Sequence, residues 1–189
     1  MIIYLVVAFL VGGVPFGLIV GKIFGKIDIR TQGSGNIGAT NVGRLLGRKY
    51  AILTFLLDGL KSFLPVLVAK YKFDADFAVC VSFFSVTGHI FSIWLKGRGG
   101  KGISSTMLAL LALNYKLFLI MGISWVLCFK ITKISALAAL LSLVIMLISS
   151  YILVDGFSFC ILLLLTAIIF FSHRSNIERM LGREELKFR

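Results

Sequence analysis

The feature that most constrains this chain is a series of seven long apolar stretches with almost no charge inside them. They cover residues 2–21, 51–69, 77–95, 103–113, 117–129, 134–153 and 157–172. A helix needs about 20 apolar residues to cross a hydrocarbon core of roughly 30 Å. With 59% hydrophobic and 15% charged residues, the sequence is too apolar for the surface of a soluble domain. We therefore predict an all-α integral membrane protein in which residues 1–189 form a single domain.

The number of spans depends on the fourth and fifth stretches, which are either two short helices or one fused span over 103–129. The positions of lysine and arginine in the loops distinguish these two arrangements, because basic loops stay in the cytoplasm. The loop segments with 6, 3, 2 and 5 basic residues are 22–49, 96–101, 130–133 and 174–189. Only seven spans, two of them short, put all four segments inside, with the N-terminus outside and the C-terminus cytoplasmic.

The formal net charge of +12 comes largely from these loops. In a soluble protein such a charge would suggest nucleic acid, but basic clusters beside apolar spans orient a membrane protein and attract anionic lipids. Membrane lipids, and no nucleic acid, are the predicted partners. The acidic residues on the predicted cytoplasmic side are Asp28, Asp58, Glu178, Glu184 and Glu185. Their spacing matches no Mg²⁺ or Zn²⁺ site, so no metal is predicted.

The loop "GSGNIGATNVGR" (33–44) contains G-x-G-x-x-G, and Asp58 follows Gly38 by twenty residues. That pattern is typical of dinucleotide binding, but only between a strand and a helix of a parallel sheet. Here a predicted membrane span precedes the loop, and Asp58 lies within another. The dinucleotide interpretation is therefore rejected.

The same loop has the composition of a different phosphate site. Glycines such as Gly33 and Gly35 let successive N–H groups converge on an anion, and Arg44 offers two parallel hydrogen bonds. The neutral polar side chains of the loop are Ser34, Asn36, Thr40 and Asn41. A simple glycine-rich turn would not require so many polar side chains.

A second glycine-rich loop, "KGRGGKGISST" (96–106), leads into the fourth apolar stretch. A loop that opens a helix is a favourable anion site, through free N–H groups and the positive end of the helix dipole. The residues predicted to bind a phosphate are Gly99, Gly100, Lys101 and Gly102. The alternative is an ordinary basic loop at the membrane surface.

Further candidates lie after the last apolar stretch and within the spans. His173 and Asn176, in "SHRSNIERMLGREELKF" (172–188), are three residues apart and share a helix face. His89 lies within the third stretch and is expected to face the helix bundle, because a lipid-facing histidine is costly. Asp58 and Lys61, also three apart, are expected to neutralise one another inside the membrane.

The chain contains four motifs in this order: "GSGNIGATNVGR", "DGLKS", "GHIFSIWLKGRGGKG" and "HRSNIERMLGREE". Together they resemble the bacterial acyl-phosphate:glycerol-3-phosphate acyltransferases, the PlsY family. The resemblance implies a seven-helix enzyme of the bacterial cytoplasmic (inner) membrane with its active site on the cytoplasmic side. It implies transfer of a fatty acyl group from acyl phosphate to the first hydroxyl of glycerol 3-phosphate. Lysophosphatidic acid and orthophosphate are the products, in the first step of bacterial phospholipid synthesis, without a cofactor.

Matching positions carry the family's site residues over to this sequence. Ser34 and Arg44 are implied as essential, beside Thr40 and Asn41, and the glycines around Lys101 as the glycerol 3-phosphate site. The third motif implies that His173 and Asn176 are catalytic and that Glu184, or its neighbour Glu185, is structural. Either His173 or a substrate phosphate oxygen takes the proton of the attacking hydroxyl. The rival classes are an anion transporter and a metal-dependent phosphotransferase.

Overall fold

The structure is a computed structural model that describes residues 1–187, so residues 188–189 of the predicted single domain lie outside the described part. Two 3-10 turns, Ile29–Thr31 and Ile93–Leu95, and ten helices make up its regular structure. The helices are α1 Ile2–Gly12, α2 Phe16–Gly25, α3 Ala39–Leu46, α4 Arg48–Lys72, α5 Ala75–Ile90, α6 Ile103–Leu113, α7 Tyr115–Thr132, α8 Ser135–Leu153, α9 Gly156–Ser172 and α10 Arg174–Leu181.

The predicted apolar stretches are helical except for breaks at residues 13–15 and 91–92, and most are long enough to cross a membrane. Five candidate spans meet the length and hydropathy requirements, and α9 with α10, bent by 57°, makes a sixth. The five are Ile2–Gly25, Arg48–Lys72, Ala75–Leu95, Tyr115–Thr132 and Ser135–Leu153. Helix α6 is apolar but has only 11 residues. The predicted all-helical membrane fold is confirmed, whereas the count of seven crossings and their orientation remain predictions.

Asn114 separates α6 from α7, so residues 103–129 do not form one fused helix. Its backbone is extended, with φ −152° and ψ 103°, and its side chain accepts hydrogen bonds from the N–H groups of Lys116 and Leu117. This cap starts α7 at Tyr115, and the helix continues to Thr132, for 18 residues in all. The prediction that the fourth and fifth stretches are both short helices is therefore wrong, because of these two helices only α6 is short.

Helix α6 lies inside the bundle and carries much of the core. Leu110 of α6 packs in one buried cluster with Leu143 of α8 and Leu165 of α9. Small residues bring helices together elsewhere, since a Cβ on Gly88 of α5 would overlap the backbone of Phe9 in α1. Close backbone approach at small residues is the usual packing of membrane helices. The large apolar side chains left outside the bundle form a surface suited to lipid.

Hydrogen bonds between distant segments define two ends of the bundle. At one end Lys70 bonds to the carbonyl groups of Ala112 and Leu113. At the other end Arg44 bonds to the Leu186 carbonyl, and Ser172 bonds to the Lys101 carbonyl. This second end, which gathers segments 26–47, 91–102 and 173–187, is called the basic end below.

Candidate functional site

The first loop is held in shape by Asn41, which is buried in α3. Its Oδ1 accepts the N–H of Ser34 at 2.9 Å, and its Nδ2 donates to the carbonyls of Ile29 and Gln32 at 2.9 and 3.2 Å. Gly33 has a φ of 61°, and a Cβ there would overlap Asn41 Oδ1. The prediction that the Asn41 side chain binds phosphate is therefore wrong, because the loop backbone uses both of its polar atoms.

The other polar residues of this loop have fewer internal bonds. Thr40 Oγ1 lies 2.9 Å from the hydroxyl of Ser135, which ties α3 to the start of α8. Asn36 Oδ1 accepts the N–H of Gly38 at 3.3 Å. The Ser34 hydroxyl accepts a 3.5 Å bond from the Asn36 N–H, which leaves its own proton to donate. Phosphate binding by Gly33, Ser34, Gly35, Asn36 and Thr40 remains a prediction.

The second loop folds back onto the end of α5. The N–H of Gly99 donates to the Ile90 carbonyl, and the N–H of Gly100 donates to the His89 carbonyl, both at 3.0 Å. A Cβ on Gly99 would overlap the His89 carbonyl, and one on Gly100 would overlap the His89 ring. The prediction that the N–H groups of Gly99 and Gly100 face a ligand is therefore wrong. These glycines are needed because the loop passes so close to His89.

The part of this loop that keeps N–H groups without a helical partner is its last turn, at the start of α6. Gly102 has a φ of 84° and caps the helix, and the first backbone bond of α6 runs from the Thr106 N–H to the Gly102 carbonyl at 2.8 Å. The N–H groups of residues 103–105 thus have no carbonyl partner within α6. Together with the Lys101 ammonium, this helix end suits a phosphate.

His173 lies where the chain bends between α9 and α10, and it is buried. Its Nδ1 is 2.9 Å from the Ile169 carbonyl oxygen, which can only accept a hydrogen bond. In a neutral imidazole Nδ1 therefore carries the proton, and Nε2 keeps a lone pair. This geometry leaves His173 Nε2 unprotonated, with a lone pair that can accept a proton.

Asn176 is also buried, and Glu185 holds its side chain. Asn176 Nδ2 and Arg179 Nε both donate to Glu185 Oε2 at 3.0 Å. The Glu185 side chain is only 3% exposed, whereas Glu184 is exposed. Of the two carboxylates that the sequence left open, these contacts therefore favour Glu185 over Glu184 as the structural one.

Replacing Glu185 by alanine is expected to lower activity about tenfold, because Asn176 loses its orienting partner and Arg179 loses its carboxylate. Replacing the exposed Glu184 by alanine is the matched control, and it is expected to change the unfolding free energy by less than about 0.5 kcal/mol. Turnover and thermal unfolding of both purified variants test this. Equal loss in the two variants would contradict the assignment.

Arg179 is a site residue that the sequence analysis missed, although it lies three residues after Asn176 on the same helix. Burial lowers the pKa of Lys101, the charges of Arg179 and Arg44 lower it further, and the charge of Glu185 raises it. Ser172, next to His173, donates to the Lys101 carbonyl at 3.3 Å. The structure thus brings all three predicted motifs together at the basic end. Three cations and one carboxylate leave an excess of positive charge for an anionic ligand.

The predicted pairing of Asp58 with Lys61 is confirmed, with Oδ1 2.8 Å from Nζ and both side chains almost fully buried. His89 faces the bundle as predicted, and its Nδ1 lies 3.7 Å from the same carboxylate oxygen. This group lies inside the bundle, beneath the second loop. Within residues 1–187, no three His, Cys, Asp or Glu side chains cluster as metal ligands would.

Membrane-length helices with a cationic, histidine-containing end define the class as integral membrane proteins with a polar site at one face. The glycerol-3-phosphate acyltransferase family model matches residues 2–183. A glycerol-3-phosphate acyltransferase of Pelagibacter ubique is 39% identical over 97% of each chain. One from the Wolbachia of Brugia malayi is 41% identical over 98% of this chain and 97% of its own.

Solved structures agree with the relatives. The crystal structure of PlsY (YgiH), an integral membrane glycerol 3-phosphate acyltransferase, in its glycerol 3-phosphate form has a TM-score of 0.95 and 31% identity. The match covers 100% of this chain and 95% of that one. The lysophosphatidic acid form of the same enzyme has a TM-score of 0.92 and 30% identity. The chain belongs to the glycerol-3-phosphate acyltransferase family of PlsY, and it is an acyltransferase of phospholipid synthesis.

Proposed function

We propose that this acyltransferase moves a fatty acyl group from acyl phosphate to the sn-1 hydroxyl of glycerol 3-phosphate. The observation that carries the proposal is the convergence of three motifs at the basic end. Ser172, next to His173, donates to the Lys101 carbonyl at 3.3 Å, and Arg44 donates to the Leu186 carbonyl at 2.9 Å. Two phosphate-bearing substrates require two anion sites, and the chain offers two glycine-rich loops there. The glycerol 3-phosphate and lysophosphatidic acid forms of the solved relative support the same substrate class.

The reaction needs charge stabilisation more than it needs a metal. The hydroxyl oxygen of glycerol 3-phosphate attacks the acyl carbon, and the bond from that carbon to the phosphate oxygen breaks. Orthophosphate leaves with the bonding electrons, and the hydroxyl proton passes to a base. Arginine, lysine and backbone N–H groups stabilise the negative charge that develops on the acyl oxygen and the leaving group.

We assign the acyl phosphate to Ser34 and Arg44, and glycerol 3-phosphate to Lys101 and the start of α6. His173 is the proposed general base, since its Nδ1 donates to the Ile169 carbonyl and its Nε2 is free to accept a proton. Asn176, held by Glu185, would position the substrate. The alternative base is an oxygen of a substrate phosphate.

Binding of glycerol 3-phosphate is expected to weaken at alkaline pH. Burial, followed by the nearby charges of Arg179 and Arg44, lowers the pKa of Lys101 to about 8. Above that pH the free protein loses a cation, while the substrate phosphate, with a second pKa of about 6, keeps its charge. KM for glycerol 3-phosphate should therefore rise up to about tenfold per pH unit above about 8.

Initial rates measured between neutral pH and about pH 9.5 test this expectation. Lys101→Arg is the matched variant, because its guanidinium stays charged over the whole range and should remove the rise in KM. A wild-type KM that stays constant with pH would contradict a role for the Lys101 ammonium in binding.

We also propose that the basic end faces the cytoplasm, in the bacterial cytoplasmic membrane, with seven crossings and the N-terminus outside. The proposal is supported by the concentration of basic residues in the loops at this end. With the free cysteines Cys80, Cys128 and Cys160 replaced by alanine, a cysteine at Lys133, between α7 and α8, should react with an impermeant thiol reagent only after the membrane is opened. Labelling in intact cells would contradict this topology.

The reaction itself can be tested with purified protein in detergent, given acyl phosphate and glycerol 3-phosphate in the presence of EDTA. We expect orthophosphate release that depends on glycerol 3-phosphate and on active protein. Release that requires added divalent metal would contradict metal-independent transfer. Folded protein that releases no orthophosphate would contradict the proposed function.

A further inference from the structure

A buried group of ionisable side chains lies beneath the second loop and takes no part in the proposed chemistry. Asp58 and Lys61 of α4 form a 2.8 Å ion pair, and His89 Nδ1 of α5 lies 3.7 Å from the same Asp58 oxygen. All three side chains are almost completely buried. We call these three residues the buried cluster.

The buried cluster is tied to the elements around it through directional bonds. Lys61 Nζ also donates to the Val14 carbonyl, at the break between α1 and α2, at 2.6 Å. Ser105, in the first turn of α6, donates its hydroxyl to the Asp58 carbonyl at 2.8 Å. The Asp58 backbone carbonyl thus links α4 to the start of α6, and the Lys61 side chain links α4 to the segment between α1 and α2.

His89 connects the cluster to the substrate-binding loop. The His89 carbonyl accepts the Gly100 N–H at 3.0 Å, and its ring occupies the space that a Gly100 side chain would need. Gly100 directly precedes Lys101, whose carbonyl accepts the Ser172 hydroxyl beside His173 at 3.3 Å. A continuous path of contacts therefore leads from Asp58 to the residues of the site.

A contribution to folding stability does not by itself explain why three ionisable side chains are buried inside the helix bundle. Burying an ion pair costs desolvation energy that well-packed apolar side chains avoid, so such a pair is weak evidence of a stabilising role. Ionisable residues within membrane spans generally mark function. Among residues 1–187, Asp58 Oδ2 and His89 Nδ1 also have no hydrogen-bond partner, although both are buried.

We propose that Asp58, Lys61 and His89 are positioning residues that fix the place of Lys101 and the start of α6 for the phosphate of glycerol 3-phosphate. The proposal rests on the proposed function. His89 supports the loop through its ring and its carbonyl. The Asp58 backbone carbonyl holds Ser105 in the first turn of α6, and Lys61, paired with the Asp58 carboxylate, bonds to the Val14 carbonyl. None of the three residues contacts the reacting atoms in this account.

His89→Ala is expected to raise KM for glycerol 3-phosphate about tenfold, with kcat changed less than about threefold and KM for acyl phosphate unchanged. A purely structural defect would lower the fraction of active protein, and thus apparent kcat, without moving KM. Leu143→Ala, in the α8 core, is the control for such a defect. Asp58→Asn with Lys61→Met, which removes both charges together, should reproduce the KM effect.

Gly100→Ala tests the same contact from the loop side, because the new methyl group would overlap the His89 ring. The effects of Gly100→Ala and His89→Ala on KM for glycerol 3-phosphate should be coupled. The fold-increase in KM of the double variant should be at least about threefold smaller than the product of the fold-increases of the two single variants. Independent effects, or an unchanged KM in His89→Ala, would overturn the proposal.

Different results would refute the proposed function and the positioning role. A wild-type protein without transferase activity would refute the proposed function. An active wild type whose His89 and Gly100 variants keep the wild-type KM for glycerol 3-phosphate would refute only the positioning role.

Discussion

Replacing His173 by alanine is expected to lower kcat by about 10²–10⁴, the range that a positioned general base contributes. The bond from His173 Nδ1 to the Ile169 carbonyl leaves Nε2 as the proton acceptor, and the general-base role is assigned to this side chain alone. KM for both substrates should change little, because the cations that bind the phosphates remain. Steady-state rates of orthophosphate release, with thermal unfolding as a folding check, measure this.

Ser175→Ala is the matched control, since Ser175 is exposed and lies two residues after His173. It should keep wild-type turnover. If His173→Ala instead lost only a few-fold in kcat while binding stayed intact, the base would have to be a phosphate oxygen of a substrate. That result would overturn the assignment of His173.

The second large effect is expected for Arg44→Ala, with kcat/KM for acyl phosphate lowered by about 10²–10³. Arg44 donates to the Leu186 carbonyl at 2.9 Å, so its guanidinium is held at the basic end near Lys101. Its charge is well placed to stabilise the departing phosphate. Arg44→Lys should recover only part of the loss, because an ammonium lacks the planar pair of donors.

Arg48→Ala provides the comparison for Arg44, because Arg48 is a basic residue of the same segment but is exposed at the start of α4. It should keep kcat/KM close to the wild-type value. Equal losses at both positions would show that general positive charge, rather than the Arg44 guanidinium, matters. Thermal unfolding of Arg44→Ala measures the stability lost with the bond to the Leu186 carbonyl, which is thereby distinguished from a loss of substrate binding.

The helical framework could be predicted from the sequence because hydrophobic length directly reflects the thickness of the membrane. The separation of α6 from α7 also followed from the charge pattern, but the length of α7 did not. Asn114 caps α7 and extends it through the polar Tyr115 and Lys116, which interrupt the apolar stretch. Apolar length therefore underestimates a helix whose ends are polar.

The roles of individual loop residues were harder to predict, because a polar or glycine residue can serve the loop as well as a ligand. Asn41 and Gly100 match a phosphate site in composition, yet they hold the loops in shape against backbone and His89. Glu185, rather than Glu184, reaches Asn176. Which neighbouring residue faces inward depends on how the chain turns after α10, and the local pattern does not reveal this.

The most direct test of the central claim follows both products of one reaction. Wild-type protein with labelled acyl phosphate and glycerol 3-phosphate in EDTA should yield one lysophosphatidic acid for each orthophosphate, with the acyl chain on the sn-1 hydroxyl. An acyl thioester given in place of acyl phosphate should yield neither product. Transfer from the thioester but not from acyl phosphate, or orthophosphate release without lysophosphatidic acid, would contradict the account.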